Sequence, residues 1–130
     1  WVATAPDLMR LLLAIDGFEY PKDILSQGSI EFMTDAKIGY APVGWRTTLS
    51  NGVWWRTGSF SGTSAMMKRM PDGTAWVVLM NSSGWNGPEL TGDIDQMMAK
   101  FLLRVKQWPE TDLFSYYTPV QLKFAKVSEP

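Results

Sequence analysis

Three closely spaced turn signals constrain this chain more than any other feature of its sequence. They are Asn51-Gly52, Ser61-Gly62 and Pro71-Asp72-Gly73, and they separate four runs of apolar, β-prone residues. Asn-Gly between strand-like residues is a strong hairpin signal, and Pro followed closely by Gly suits the corners of a tight turn. The spacing therefore predicts a four-stranded antiparallel β-meander, with strands at about 43–48, 53–60, 63–70 and 74–81.

Two helices are predicted to pack on this sheet, which gives an α+β fold. Thr4, Pro6 and Asp7 form a helix-start pattern followed by leucines at helical spacing, so an N-terminal helix is expected at about 5–16. Apolar residues recur at helical spacing again over about 88–107, where a long C-terminal helix is expected. Residues 18–42 are expected to be irregular, with room for a short helix within 24–33.

Composition excludes several classes of function. The 130 residues include 12 basic and 13 acidic ones, so nothing indicates the basic patch that nucleic acid or an anionic membrane requires. No apolar run approaches the ~20 residues of a membrane span. Cysteine and histidine are absent, which excludes disulfides, thiolate or histidine metal sites and every catalytic triad that uses histidine. The sequence predicts neither a metal site nor a cofactor.

The residue types that remain as candidates for catalysis or ligand binding point to one strand. Ser64 and Lys68 could act as nucleophile and base on a helix, but on a strand they lie roughly 13 Å apart. The segment 56–59, Arg-Thr-Gly-Ser, is the stronger candidate, because Arg56 can bind a carboxylate in a bidentate manner and Gly58 allows a ligand close to the backbone. The alternative is structural: Arg56 covers a tryptophan ring and Gly58 relieves a bulge. A carbohydrate platform built on Trp85 is a further alternative.

Four segments together resemble the serine β-lactamase-like superfamily of class C β-lactamases, DD-peptidases and esterases. Residues 1–12, WVATAPDLMRLL, resemble its "S/T-T-x-x-D-L-x-R-F" helix, and 39–45, GYAPVGW, resemble its "Y-G-L-G-W" segment. Residues 56–62, RTGSFSG, resemble its third motif, K/H-T/S-G followed by x-x-G. Residues 71–81, PDGTAWVVLMN, resemble the hairpin that follows that motif. The order and spacing agree over residues 1–108, which are interpreted as the C-terminal part of one such hydrolase domain, and 109–130 as a tail or added strand.

The resemblance implies roles for particular residues. Arg56 would face the substrate carboxylate, Thr57 would bond the substrate, Gly58 would give clearance, and the backbone N–H of Ser59 would be one oxyanion-hole donor. Asn81 would lie on the rim of the site. The family's Ser-x-x-Lys nucleophile motif and its Tyr-x-Asn do not occur in this sequence, so the chain alone is expected to be inactive. Arg also replaces the family's Lys or His, and since Arg cannot be deprotonated it cannot shuttle a proton.

The implied partners follow from the same reading. They are a small-molecule or peptide substrate with a carboxylate, and the N-terminal half of the domain. Without that half a sheet face and edge would be bare, so a homodimer or a domain swap is also expected. The resemblance favours a periplasmic or extracellular location. The competing hypothesis is a non-catalytic peptide- or glycan-binding module on the same sheet.

Overall fold

The computed structural model describes residues 2–35, 41–84, 89–111 and 114, and it confirms the predicted α+β arrangement. Its elements, in chain order, are α1 (Ala5–Leu13), α2 (Gln27–Thr34), β1 (Thr47–Thr48), β2 (Trp54–Phe60), β3 (Thr63–Arg69), β4 (Ala75–Met80) and α3 (Glu89–Leu102). The four strands form one antiparallel sheet in the order β1-β2-β3-β4, as the turn signals predict. None of the helices in these ranges is long and apolar enough to cross a membrane.

Turn chemistry fixes the register of the two long hairpins. Phe60 faces Thr63 across the two-residue turn between β2 and β3, where Gly62 has a φ of +77° that an L side chain rarely adopts. Between β3 and β4, the Asp72 carboxylate accepts a hydrogen bond of 2.9 Å from the backbone of Thr74. These turns pair β3 with both neighbours along its whole length, which makes it the best-supported strand of the sheet.

The first strand is shorter than the predicted 43–48, because the chain before it is held by a helix. The N–H of Val43 donates to the carbonyl of Met33 in α2 at 2.9 Å, and Gly44 has a φ of +77°. Both features turn residues 43–45 away from the sheet. Only Thr47 and Thr48 then pair with β2.

The helices depart from the predicted bounds at their ends. Asp7 and Thr4 form the predicted capping box at the start of α1, but the helix ends at Leu13 rather than at 16. The Asp16 carboxylate instead accepts a hydrogen bond of 2.9 Å from the N–H of Phe18, in a turn that replaces the last helical residues. α3 ends at Leu102 rather than at 107, and a tighter turn follows in which the N–H groups of Arg104 and Val105 donate to the carbonyls of Phe101 and Leu102. α2 occupies part of a region that was expected to be mainly irregular.

The sheet has two faces with different coverings. On the α3 face, Met66, Trp76 and Ile94 are buried together and form a hydrophobic core cluster. The opposite face, the α1 face, carries Trp54, Arg56, Gly58 and Phe60 and their partners on β3 and β4. Its Trp54 end lies against the α1–α2 segment, whereas Phe60 at the other end is 78% exposed. The α1 face is therefore covered at one end and open at the other.

Candidate functional site

The outer edge of β2 is open along most of its length. β1 pairs with β2 only at Trp54 and Trp55, so in the described part of the chain no strand lies beside residues 56–60 on that edge. The N–H of Arg46 donates to the carbonyl of Trp55 at 2.9 Å, which shows that the peptide groups of Trp55 point to the β1 side. Peptide groups alternate between the two edges of a strand, so those of Thr57 and Ser59 also point outward. The predicted oxyanion donor, Ser59 N–H, thus lies on an open edge.

The side chains of the predicted segment divide between the two faces. Arg56 and Gly58 lie on the α1 face, beside a shallow recess of about 260 Å³ that Leu8 and Leu79 also line. Arg56 is exposed. A Cβ built on Gly58 would meet only the Ala65 side chain, at 4.0 Å, so crowding does not require glycine here. The absent side chain instead leaves the β2 surface flat beside Arg56.

Thr57 and Ser59 lie on the α3 face, and Asn81 lies further away. Ser59 pairs with Ser64, which in turn pairs with Met80, so Asn81 follows the end of a strand two places from β2. At the usual strand spacing this separation is roughly 10 Å. The structure therefore brings residues 56–59 together on one strand and does not bring Asn81 against them.

Ser64 and Lys68 do not form a nucleophile–base pair, in agreement with the strand prediction. Both lie on β3, where Ser64 is 1% exposed. Its hydroxyl has no hydrogen-bond partner among the residues that the structure describes, and Lys68 Nζ is bonded to Asp95 Oδ1 at 2.6 Å. The lysine is therefore engaged with α3 rather than with a serine.

Sequence reasoning missed a buried charged cluster at the covered end of the α1 face. The Arg69 guanidinium carbon lies 4.1 Å from the ring centroid of Phe18 and 4.3 Å from that of Trp54. Burial lowers the pKa of Arg69, while the negative charges of Asp16 and Asp23 oppose that shift. Burial also raises the pKa of the Asp16 carboxyl, which is 1% exposed. The sequence feature that could have revealed this cluster is the alternation of side chains along β3, which places Arg69 on the same face as Met67 and Ala65.

Fold and site together define an α+β protein with a four-stranded antiparallel meander packed by helices, in which no described strand pairs with residues 56–60 on the outer edge of β2. Within the described ranges, no group of three or more acidic residues is placed to hold a metal ion. No model of a known protein family matches the chain, and no curated protein or solved structure is significantly similar to it.

Proposed function

We propose that this chain forms one wall of the acyl-transfer site of a β-lactamase-like serine hydrolase, whose nucleophile is supplied by residues outside this sequence. The observation that carries the proposal is the open edge of β2, where the N–H of Ser59 points away from β3. In this role Ser59 N–H is an oxyanion-hole donor and Arg56 binds the carboxylate of a small-molecule or peptide substrate. Thr57 adds a hydrogen bond to the same substrate, and Asn81 lies on the outer rim.

The N–H of Ser59 would be an effective oxyanion-hole donor because the sheet holds it in position before the reaction begins. An oxyanion-hole donor is useful because it costs little reorganisation when negative charge develops on the substrate. All seven residues of β2 pair with β3, so β3 holds the strand in place on its inner side. The N–H of Ser59 remains accessible on the outer side. Removing one oxyanion donor typically costs ~10²–10³ in rate, so this strand would matter to chemistry that begins elsewhere.

Binding of a carboxylate-terminated dipeptide tests the edge without requiring turnover. N-acetyl-D-alanyl-D-alanine should shift the amide NMR signals of Thr57 and Ser59, and its C-terminal amide should bind less tightly. Arg56→Ala should weaken binding about tenfold or more, because a charge-assisted hydrogen bond contributes about 1.5–3 kcal/mol. Arg104→Ala, a matched loss of an exposed arginine on the far side of α3, should leave the affinity unchanged.

The Ser59 amide can be tested by a pair of variants in the same titration. Ser59→Pro removes the outward N–H, and because this position forms no ladder hydrogen bond with β3, the sheet should tolerate proline. Ser59→Ala keeps the N–H and removes only the hydroxyl. Weaker binding by the proline variant alone supports the donor role. Equal binding by both variants, or dipeptide binding that is indifferent to Arg56, would contradict the proposal.

The open edge also supports the second candidate, a non-catalytic peptide-binding module. An extended peptide can add a strand to an exposed sheet edge through backbone hydrogen bonds, without a nucleophile. Labelling by a fluorescent acyl-serine probe in a protein that joins this chain to a Ser-x-x-Lys segment would favour the hydrolase. The glycan platform at Trp85 lies outside the described residues, and so does the predicted tail or added strand at 109–130 apart from 109–111 and 114.

Self-association is a further part of the proposal. Phe60 on β2 is 78% exposed and Leu79 on β4 is 40% exposed, both on the α1 face, and in the described residues no strand pairs with the outer edge of β2 beside Phe60. An exposed apolar surface beside a free strand edge favours pairing with another chain. We expect a dimer, a domain swap or binding of the N-terminal half of the hydrolase domain.

Size-exclusion chromatography at micromolar concentration should show a species larger than the monomer. Phe60→Lys with Leu79→Lys should shift the equilibrium toward the monomer, because the charges oppose burial of this surface. Leu103→Lys, which alters an 88% exposed leucine beyond α3, should not. A wild-type chain that stays monomeric throughout would refute the expectation.

A further inference from the structure

We infer that the cavity between α3 and β2 binds a small organic carboxylate with an apolar aryl or alkyl body. The cavity has a volume of about 750 Å³, which falls within the range of small-molecule sites. β2, β3 and the residues that flank β1 supply its floor and one side, and the N-terminal half of α3 supplies the other. Thr57 and Ser59 line this cavity too, but Arg56 lies on the opposite face of the sheet, so the inference does not rest on the role proposed for Arg56.

Two cations bracket Trp55 in the middle of this cavity. Lys68 is the cross-strand partner of Trp55 on β3, and its Nζ lies 6.0 Å from the indole centroid. Arg46 lies on the other side, where its backbone N–H bonds to the Trp55 carbonyl. Asp95 is the only acidic residue in the described part of the lining, where two basic side chains and one acidic side chain leave a formal charge of +1. An anionic ligand fits this charge.

The Lys68–Asp95 pair supplies orientation as well as charge. Its Nζ–Oδ1 distance is 2.6 Å, and the lysine side chain is only 15% exposed, so the ammonium is held in the cavity wall. An ammonium group has three N–H donors, and Asp95 occupies one of them. No described carboxylate pairs with Arg46, so its guanidinium is available to a ligand carboxylate beside the remaining lysine donors.

The lining is apolar at the Val53 end of the cavity, whereas Thr57, Ser59 and Thr91 make the rest of it more polar. Val53 on the β2 side and Met66 on β3 are buried, at 8% and 5% exposure, and Leu49 and Met70 lie at the same end of the cavity. Methionine adapts its shape to irregular ligands, and tryptophan offers a flat apolar surface. A ligand with its carboxylate near Trp55 would place an aryl or alkyl body against Val53 and Met70.

Gly92 leaves a gap in the helical wall and so provides a direct test. A Cβ built on Gly92 meets no atom within 4 Å, although the residue lines the cavity and is the fourth residue of α3. A larger side chain there would enter the cavity without displacing the backbone, and it would also favour the helix. Gly92→Phe should therefore fill the cavity, whereas Gly92→Ala makes the same backbone change with little obstruction.

The probe for this test is 4-phenylbutyrate, with 4-phenylbutan-1-ol as its uncharged counterpart, both measured by isothermal titration calorimetry. Saturable binding of phenylbutyrate to the wild-type chain is expected at a Kd on the order of 0.1–1 mM, about tenfold tighter than the alcohol. Gly92→Phe should abolish binding, and its thermal midpoint should be no lower than that of the wild type. Gly92→Ala should retain binding, and Arg46→Gln should weaken it about tenfold.

Arg56→Ala should leave phenylbutyrate binding unchanged, which separates this result from the dipeptide titration. Three outcomes would overturn the inference: no saturable binding at 10 mM probe (about tenfold above the expected range), equal affinity for acid and alcohol, or wild-type binding by a folded Gly92→Phe chain.

Discussion

Replacing Arg69 with alanine should lower the free energy of unfolding by about 3–5 kcal/mol, the cost of breaking a buried charge network. Arg69 is 7% exposed, its guanidinium stacks between Phe18 and Trp54, and Nη1 donates to the carbonyl of Gly52 at 2.8 Å. Its loss removes two cation–π contacts and leaves the buried Asp16 carboxyl without its positive neighbour. Urea denaturation followed by circular dichroism measures this difference.

Two control variants separate the causes of this effect. Arg56→Ala removes an arginine from the same face of the sheet, but from an exposed position, and should change stability by less than about 0.5 kcal/mol. Arg69→Lys keeps the charge but loses the planar group that stacks between two rings, so its cost should be intermediate. A loss below about 1 kcal/mol for Arg69→Ala would show that the cluster contributes little to stability.

The pH dependence of the Arg69→Ala loss follows from Asp16. Burial raises the pKa of Asp16, and the positive charge of Arg69 opposes this rise, so the variant should have a still higher Asp16 pKa. A carboxyl whose folded pKa exceeds its unfolded value binds a proton more tightly when folded, so stability falls as the pH rises through that interval. The deficit of Arg69→Ala should therefore be greater at pH 7 than near pH 4. Asp16→Asn should remove this difference.

The sheet could be predicted from the sequence because its turns are encoded locally. Asn51-Gly52, Ser61-Gly62 and Pro71-Asp72-Gly73 each specify a turn within two or three residues, and the structure has a hairpin connection at all three. The short β1 strand was not predictable in this way. Its length depends on the hydrogen bond from Val43 to Met33, ten residues away on α2, and that contact exists only after the two elements pack.

The candidate site shows the same division between local and distant information. The sequence predicts that residues 56–59 lie on one strand. Backbone groups alternate between the two sides of a strand, and this alternation determines which of them point to the outer edge of β2. Lys68 and Asp95 are 27 positions apart and join a strand to a helix, so no local sequence pattern predicts their pairing. The position of Asn81, two strands from β2, likewise follows from the strand order rather than from the turn beside it.

Replacing Trp76 with alanine should cost about 3–5 kcal/mol, because it removes the largest side chain of the buried cluster between α3 and the sheet. Trp76 is 5% exposed and packs with Met66 and Ile94 in the core cluster, while much of the surface of α3 faces solvent. Most of the stability of a helix in a protein comes from packing of its apolar face, so loss of this anchor should loosen α3 itself. Chemical denaturation measures the total loss of stability, and hydrogen exchange shows which helices and strands lose protection.

Hydrogen exchange should speed up more at the α3 amides around Ile94 than at the β3 amides in Trp76→Ala. The reason is that β3 keeps a hydrogen-bonded strand on both sides, whereas α3 depends on side-chain contacts with the sheet. Trp108→Ala is the matched control, since Trp108 is 59% exposed, and it should change stability by less than about 0.5 kcal/mol. Equal losses for the two tryptophan variants would mean that α3 is held to the sheet by something other than the Trp76 cluster.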